Sequence, residues 1–247
     1  MKKVLLGVGI ATSLALAQII EVGGLASPES VLVTDKGVFV SNVGKELKPS
    51  AKDGDGFISL VDKNGFVKEL HFIDGLDAPK GSVLIGNVLY VADVDRLRGF
   101  DIRSKKEVFT LTFEGTEFLN DVTATGKNTL YVSATDVGAV YAVDLKNRSY
   151  KKLADLEGAN GLYYEKGKLY AVTYPKGTLN TLDTESGEVT LLKEFGEGVL
   201  DSVKKVGDTI YISDWVRFEK AGVIRVYDLK TEKTSTLNLP TFLGAAD

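Results

Sequence analysis

Five segments of the chain share one pattern: GVFVSN (37–42), VLYVAD (88–93), TLYVSA (129–134), KLYAVT (168–173) and TIYISD (209–214). Each alternates apolar with small or polar residues and is rich in Val, Ile and Tyr, as a strand with one buried face should be. Their aromatics, Phe39, Tyr90, Tyr131, Tyr170 and Tyr211, are separated by 51, 41, 39 and 41 residues. Behind each comes a second shared segment, GFISLVDKNG, RGFDIRSKKE, GAVYAVDLKN, GTLNTLDTES and GVIRVYDLKT. These place an Asp at a turn: Asp62, Asp101, Asp144, Asp183 and Asp228. A short carboxylate there bonds its own backbone and suits a hairpin. Further strands lie ahead of and behind these two, such as SVLVTD and EVTLLKEF. Four strands per unit, repeating about every 40 residues, mark an all-β chain that folds as a β-propeller.

The number of blades rests on the ends of the pattern. Blade five finishes near Pro240, TFLGAAD follows, and Asp247 stands 46 residues after Asp201, about one period. QIIEVG (18–23) reads as a lone strand of the kind that completes a last blade and closes a ring. The expectation is a six-bladed plan whose last blade lacks its inner strands, with a five-bladed ring as the alternative.

The first 17 residues, MKKVLLGVGIATSLALA, differ from the rest. Lys2 and Lys3 form a basic start, Val4 to Leu16 an apolar run, and Ala15-Leu16-Ala17 a small-x-small cleavage site, the layout of a secretory signal peptide. The run is shorter than the roughly 20 residues that span a bilayer. The expectation is a signal peptide over 1–17 and one propeller domain over 18–247, exported to the periplasm or secreted, with no stable membrane insertion after cleavage. A formal charge of −4 without a basic cluster argues against nucleic acid as partner. With no Cys, the chain has neither disulfides nor a thiol nucleophile.

Ten residues ahead of each aromatic stand Glu29, Lys80, Asp121, Asn160 and Asp201, every one polar or charged. The first strand of a propeller blade lines the central channel, so this slot makes a ring of side chains at the channel mouth. Asn160-Gly161 also reads locally as a turn, because both residues tolerate a left-handed backbone. Carboxylate and amide oxygens without His or Cys suit a hard cation, Ca²⁺ first, with Mg²⁺ or Mn²⁺ as alternatives, and argue against Zn²⁺.

SPES at 27–30, LND at 119–121, ANGL at 159–162 and LDS at 200–202 resemble the metal motifs of the senescence-marker-protein/gluconolactonase (regucalcin-like) family of six-bladed propellers. Diisopropyl-fluorophosphatase-like enzymes are similar. The resemblance runs from about residue 24 to the end and implies a divalent metal on Glu29, Asn160 and Asp201. It implies Asn120 as the blade-three ligand, with Asp121 beside it, whereas the ten-residue count favours Asp121. SPES stands where the family usually has Glu-Gly-Pro, and Lys80 matches no family metal ligand.

The loops behind the aromatic strands should emerge on the face of the ring. They bring Arg96, Arg98, Tyr174, Trp215 and Arg217 as candidate substrate contacts, together with Lys80. Arg suits an anionic or carbonyl-bearing ligand. His71, the single His, falls on an outermost strand, which excludes a His-based triad. DGDG at 53–56 lacks the later ligands of a calcium loop and reads as a turn. The resulting expectation is a metal-dependent hydrolase of a small molecule, a lactone first, with Asp201 able to act as base. The alternative is a non-catalytic propeller that binds a ligand or partner around a structural metal.

Overall fold

The computed structural model describes residues 20, 22–126, 128–196, 198–216 and 222–238. The strands of the described residues form five four-stranded sheets. Blade one comprises β1 (Pro28–Thr34), β2 (Gly37–Asn42), β3 (Gly56–Val61) and β4 (Val67–Leu76). Blade two comprises β5 (Pro79–Ile85), β6 (Val88–Asp93), β7 (Arg96–Asp101) and β8 (Glu107–Thr112). Blade three runs through β9 (Leu119–Ala124), β10 (Thr129–Ala134), β11 (Ala139–Asp144) and β12 (Ser149–Asp155). Blade four runs through β13 (Ala159–Glu165), β14 (Lys168–Thr173), β15 (Thr178–Asp183) and β16 (Val189–Glu194). Blade five is β17 (Leu200–Val206), β18 (Thr209–Asp214), β19 (Val223–Asp228) and β20 (Thr234–Asn238). The five aromatic segments are the second strands, and every sheet pairs its strands antiparallel in chain order.

Successive first strands lie side by side, β1 with β5, β5 with β9, β9 with β13 and β13 with β17. Apolar layers fill the joints between blades. Phe39 and Ile58 meet Leu89 and Val91; Leu97 and Phe109 meet Leu130 and Val132. Tyr131 and Val140 meet Leu162 and Leu169; Tyr170 and Leu179 meet Val203 and Ile210. Each fully buried Leu in such a layer stabilises by roughly 1.5–3 kcal/mol. Asp101, Asp144, Asp183 and Asp228 accept backbone N–H bonds in their hairpin turns, as the repeat requires.

The six-bladed plan is corrected to a five-bladed propeller, since all five repeats complete four-stranded sheets. Asp247 and the rest of TFLGAAD lie outside the described residues, which leaves Asp201 to Asn238 of the interval read as one period. The four strands of blade five, Leu200–Asn238, together with the connection between β18 and β19, occupy most of it. Residues 1–17, and with them the signal peptide, lie outside the described residues. So do 18, 19 and 21 of QIIEVG; its described Ile20, Val22 and Gly23 are in no strand. No helix among the described residues is long and apolar enough to cross a membrane.

The joint between blades five and one differs from the other four. Among the described residues no apolar cluster equivalent to the four above spans it. Val31 holds the place in blade one that Val122, Leu162 and Val203 hold in blades three to five. It is 42% exposed, against 3–6% for those three. Across the joint Tyr211 is 37% exposed, although the equivalent Tyr131 and Tyr170 are buried.

Candidate metal centre

A strict strand alternates its side chains between two faces, so none of the slot residues would point along the channel without a break in register. All five first strands supply that break at the same place. Pro28 pairs with Asn42 and Ser30 with Ser41, which leaves Glu29 as an extra residue. Pro79 pairs with Asp93 and Ser82 with Val91; Leu119 pairs with Ala134 and Val122 with Val132. Ala159 pairs with Thr173 and Leu162 with Ala171; Leu200 pairs with Asp214 and Val203 with Ile212. Each is a β-bulge, which re-aims a side chain and bends its strand. The bulged positions are Glu29, Lys80, Asn120, Asn160 and Asp201.

Register therefore decides between the two blade-three residues. Leu119 faces Ala134 as Ala159 faces Thr173, so Asn120 is the equivalent of Asn160. The count of ten missed by one because the β9–β10 hairpin turns through three residues, closed by Thr125 N–H on the Thr129 carbonyl. The other first hairpins turn through two, as in Glu165 opposite Lys168. Asp121 looks along the ring instead. Its oxygens accept Leu162 N–H at 2.6 Å and Val122 N–H at 2.7 Å, which staples blade three to blade four.

Gly161 is in β13 and has no positive φ, so the turn reading of Asn160-Gly161 is corrected. The glycine is required by close approach. A Cβ there would stand 2.4 Å from the Asp201 carbonyl oxygen and 2.6 Å from Ser202 Cα. Gly81 makes the same kind of contact with Asp121.

Asn120 Nδ2 donates to Thr135 Oγ1 at 3.1 Å, and that hydroxyl donates to the Ala159 carbonyl. Asn160 Nδ2 donates to the Leu200 carbonyl at 2.9 Å and to Asp201 Oδ1 at 3.2 Å. Both amides are 4% exposed, and their nitrogens are held so that their oxygens face away from every donor. Among the described residues four buried side-chain atoms lack a hydrogen-bond partner. Three of them are Glu29 Oε2, Asn120 Oδ1 and Asn160 Oδ1; the fourth, Asp95 Oδ1, faces Arg96 Nε at 3.5 Å. A buried oxygen left bare costs roughly 1–3 kcal/mol. All three stand at equivalent positions on three blades, and a positively charged partner would suit them.

Charge makes the same demand. Burial raises the Glu29 carboxyl well above its usual range; Asp201 and Asp121 nearby add to this, and Lys80 opposes it. Asp121 is pushed up to about 7 by burial, against the pull of its two N–H donors. Burial likewise pushes Asp201 up to about 6, opposed by hydrogen bonds from Trp215 and Asn160. Lys80 is fully buried, its ammonium over the Phe118 ring, and burial lowers its pKa. Its Nζ donates to the Pro49 and Ala78 carbonyls at 2.6 and 3.1 Å. Lys80 therefore offsets part of the Glu29 charge and ties down the 43–55 connection.

Two carboxylates and two amides occupy the equivalent bulged positions of four blades, a donor set whose chemistry fits a hard cation. Among the described residues no three acidic, His or Cys side chains cluster tightly enough to hold an ion by themselves. The rim candidates divide. Arg98 is buried in blade two, where it bonds Asp93, Glu107 and the Gly75 carbonyl, so it is no rim residue. Arg96 is paired with Asp77 and Asp95. Tyr174 is 37% exposed at the end of blade four's second strand. Trp215 donates its indole N–H to Asp201 Oδ2 at 2.8 Å, a role the sequence reading missed because no repeat position announces it. Arg217 lies outside the described residues. His71, on β4, pairs with Asp74 at 2.6 Å.

No family model matches the chain, and no curated protein matches it in sequence. Solved structures do share its fold. Hydrazine synthase of Kuenenia stuttgartiensis superposes with a TM-score of 0.63 at 16% identity, over 91% of this chain and 69% of that one. The computationally designed Ika8 protein gives 0.53 at 16% identity, over 88% of this chain and 63% of its own. The extracellular domain of a putative one-component system from B. thetaiotaomicron gives 0.58 at 10% identity, over 85% and 30%. The chain thus spans less than two thirds of two of these three. At such identities the likeness is one of fold, the propeller, on which function varies from site to site.

Proposed function

We propose that the ring binds a hard divalent cation, Ca²⁺ before Mg²⁺ or Mn²⁺, and that the chain is an exported hydrolase acting on a small neutral ester, a lactone first. The observation that carries it is the set of three bare oxygens on Glu29, Asn120 and Asn160. A cation bound there would polarise a carbonyl and acidify a water. Asp201, whose carboxyl burial pushes up to about 6 without a cation, would be the group that takes a proton, the role of a general base. Asn160 orients that carboxylate through Nδ2. A neutral substrate is favoured over an anionic one because, among the described residues, the candidate cations of the mouth already have partners. Arg96 and Lys52 pair with carboxylates, and Lys80 bonds two carbonyls.

A non-catalytic reading is favoured by Lys80 itself, whose ammonium already supplies one positive charge beside Glu29. The two readings part on activity. Full-length protein loaded with Ca²⁺ is assayed on a panel of lactones and organophosphates, with and without a chelator. The expected result is chelator-sensitive lactone hydrolysis that falls at least about 100-fold in Asp201→Asn, a typical loss for a proton-transfer group. Absence of turnover by the loaded protein, with calcium binding retained, overturns the hydrolase and leaves the binding protein.

A further inference from the structure

Among the four candidate ligands, Asp201 is the one whose two side-chain oxygens are both hydrogen-bonded: Oδ1 by Asn160 and Oδ2 by Trp215. The indole is mounted rigidly. The backbone N–H of Trp215 donates to the Val199 carbonyl at 3.0 Å, one residue before β17 begins. On the preceding side Asp214 is fully buried, pairs with Leu200 across the sheet, and binds Arg225 Nε and Val216 N–H. The donor is thus fixed to the same two strands that carry its acceptor. A carboxylate in that position cannot rotate about its last bond without giving up the indole.

We propose that Trp215 is a positioning residue of the ring: its N–H pins one Asp201 oxygen and thereby turns the other toward Asn160 and the proposed cation. The inference rests on the cation reading. It extends that reading to the rim, because occupancy of the ring is felt at the start of the β18–β19 connection. Partners that orient a metal-binding side chain commonly change affinity by roughly 10–100-fold when removed. The same indole is the only one in the chain, so its emission reports the surroundings of this one side chain.

The test titrates Ca²⁺ into chelator-treated full-length protein, followed by calorimetry and by tryptophan emission in parallel. The expected result is an emission change that follows the calorimetric curve, and a roughly 10–100-fold weaker affinity in Trp215→Phe. Calorimetric binding with flat emission, or wild-type affinity in Trp215→Phe, overturns the positioning role and leaves the cation site standing. No calorimetric binding in the wild type overturns the cation reading and this inference with it. If Trp215→Phe does not fold, the wild-type emission curve decides.

Discussion

Glu29, Asp121 and Asp201 share one buried region with a single buried ammonium, and without a cation they resist ionisation. The consequence for stability has a definite sign. Burial pushes Asp201 and Asp121 up to about 6 and about 7 in the folded chain, against about 3.9 when unfolded. Between those values the folded chain binds more protons than the unfolded one, so stability falls as pH rises. The turn residues Asp101, Asp144, Asp183 and Asp228 are shifted the other way by backbone N–H bonds. Their contribution is lost only below about pH 4. In a chelator the melting temperature is therefore expected to peak at about pH 4–5 and to drop toward pH 7.5. Calcium should reverse that slope, because the ligands must be ionised to bind it. A metal-free curve that stays level or climbs from pH 5 to 7 would sink the buried-acid account. At 100 times its dissociation constant calcium adds about 2.7 kcal/mol. Asn160→Ala should abolish most of that increment, while Lys151→Ala, exposed on β12, should keep it. The slot residues were legible because a polar side chain recurs at one distance from each aromatic. The choice of Asn120 over Asp121 was not, since it depends on one additional residue in a turn. Trp215 was legible as a rim residue but not as a partner of Asp201, for no period links them.

At the scale of the strand, the bulges turn a repeat into a site, and the residues that make them possible alternate around the ring. Blades two and four follow the slot with Gly81 and Gly161, each pressed against the next blade's backbone. Blades three and five follow it with Asp121 and Ser202, whose N–H groups are taken by Ser133 and Ser213 at 2.9 and 2.8 Å. That pairing was present in the sequence: the fifth residue of the aromatic strand is Ser where the slot is followed by Asp or Ser, and Ala92 or Val172 where Gly follows. The five aromatic strands could be read to the residue because alternation and turn aspartates agreed. A bulge leaves no such mark, because one inserted residue changes pairing without changing composition. Gly161→Ala should cost about 1–3 kcal/mol, as overpacking does, and should reduce the calcium increment in the melt. Gly23→Ala, with nothing within 4 Å of the new Cβ and no positive φ, should stay within about 0.5 kcal/mol of the wild type. Equal effects at the two sites would show that the close approach between blades four and five does not constrain the ring.

For the whole molecule, the blade five–blade one joint is, among the described residues, where the ring is held least by apolar burial, and the proposed cation would lie across it. Glu29 comes from blade one and Asp201 from blade five, and each lies within electrostatic reach of the other. The sequence pattern put an incomplete sixth blade between these two, an expectation that the five four-stranded sheets correct. What the repeat could not show is how five units divide the circle, since that depends on the angle between packed sheets and not on the period. Packing then separates two substitutions of one chemistry. Val132→Ala, fully buried between blades two and three, should cost on the order of 2 kcal/mol. Val31→Ala, 42% exposed at the open joint, should cost under about 0.5 kcal/mol. In chelator, amides of β1 and β17 should exchange with solvent faster than those of β9 and β13, since local opening follows the regions with least buried apolar contact. Calcium, by joining Glu29 to Asp201, should slow exchange in β1 and β17 more than elsewhere. Hydrogen exchange followed by mass spectrometry reads both effects in one experiment. Uniform protection around the ring, unchanged by calcium, would mean that the joint is closed by other contacts and that no cation bridges it.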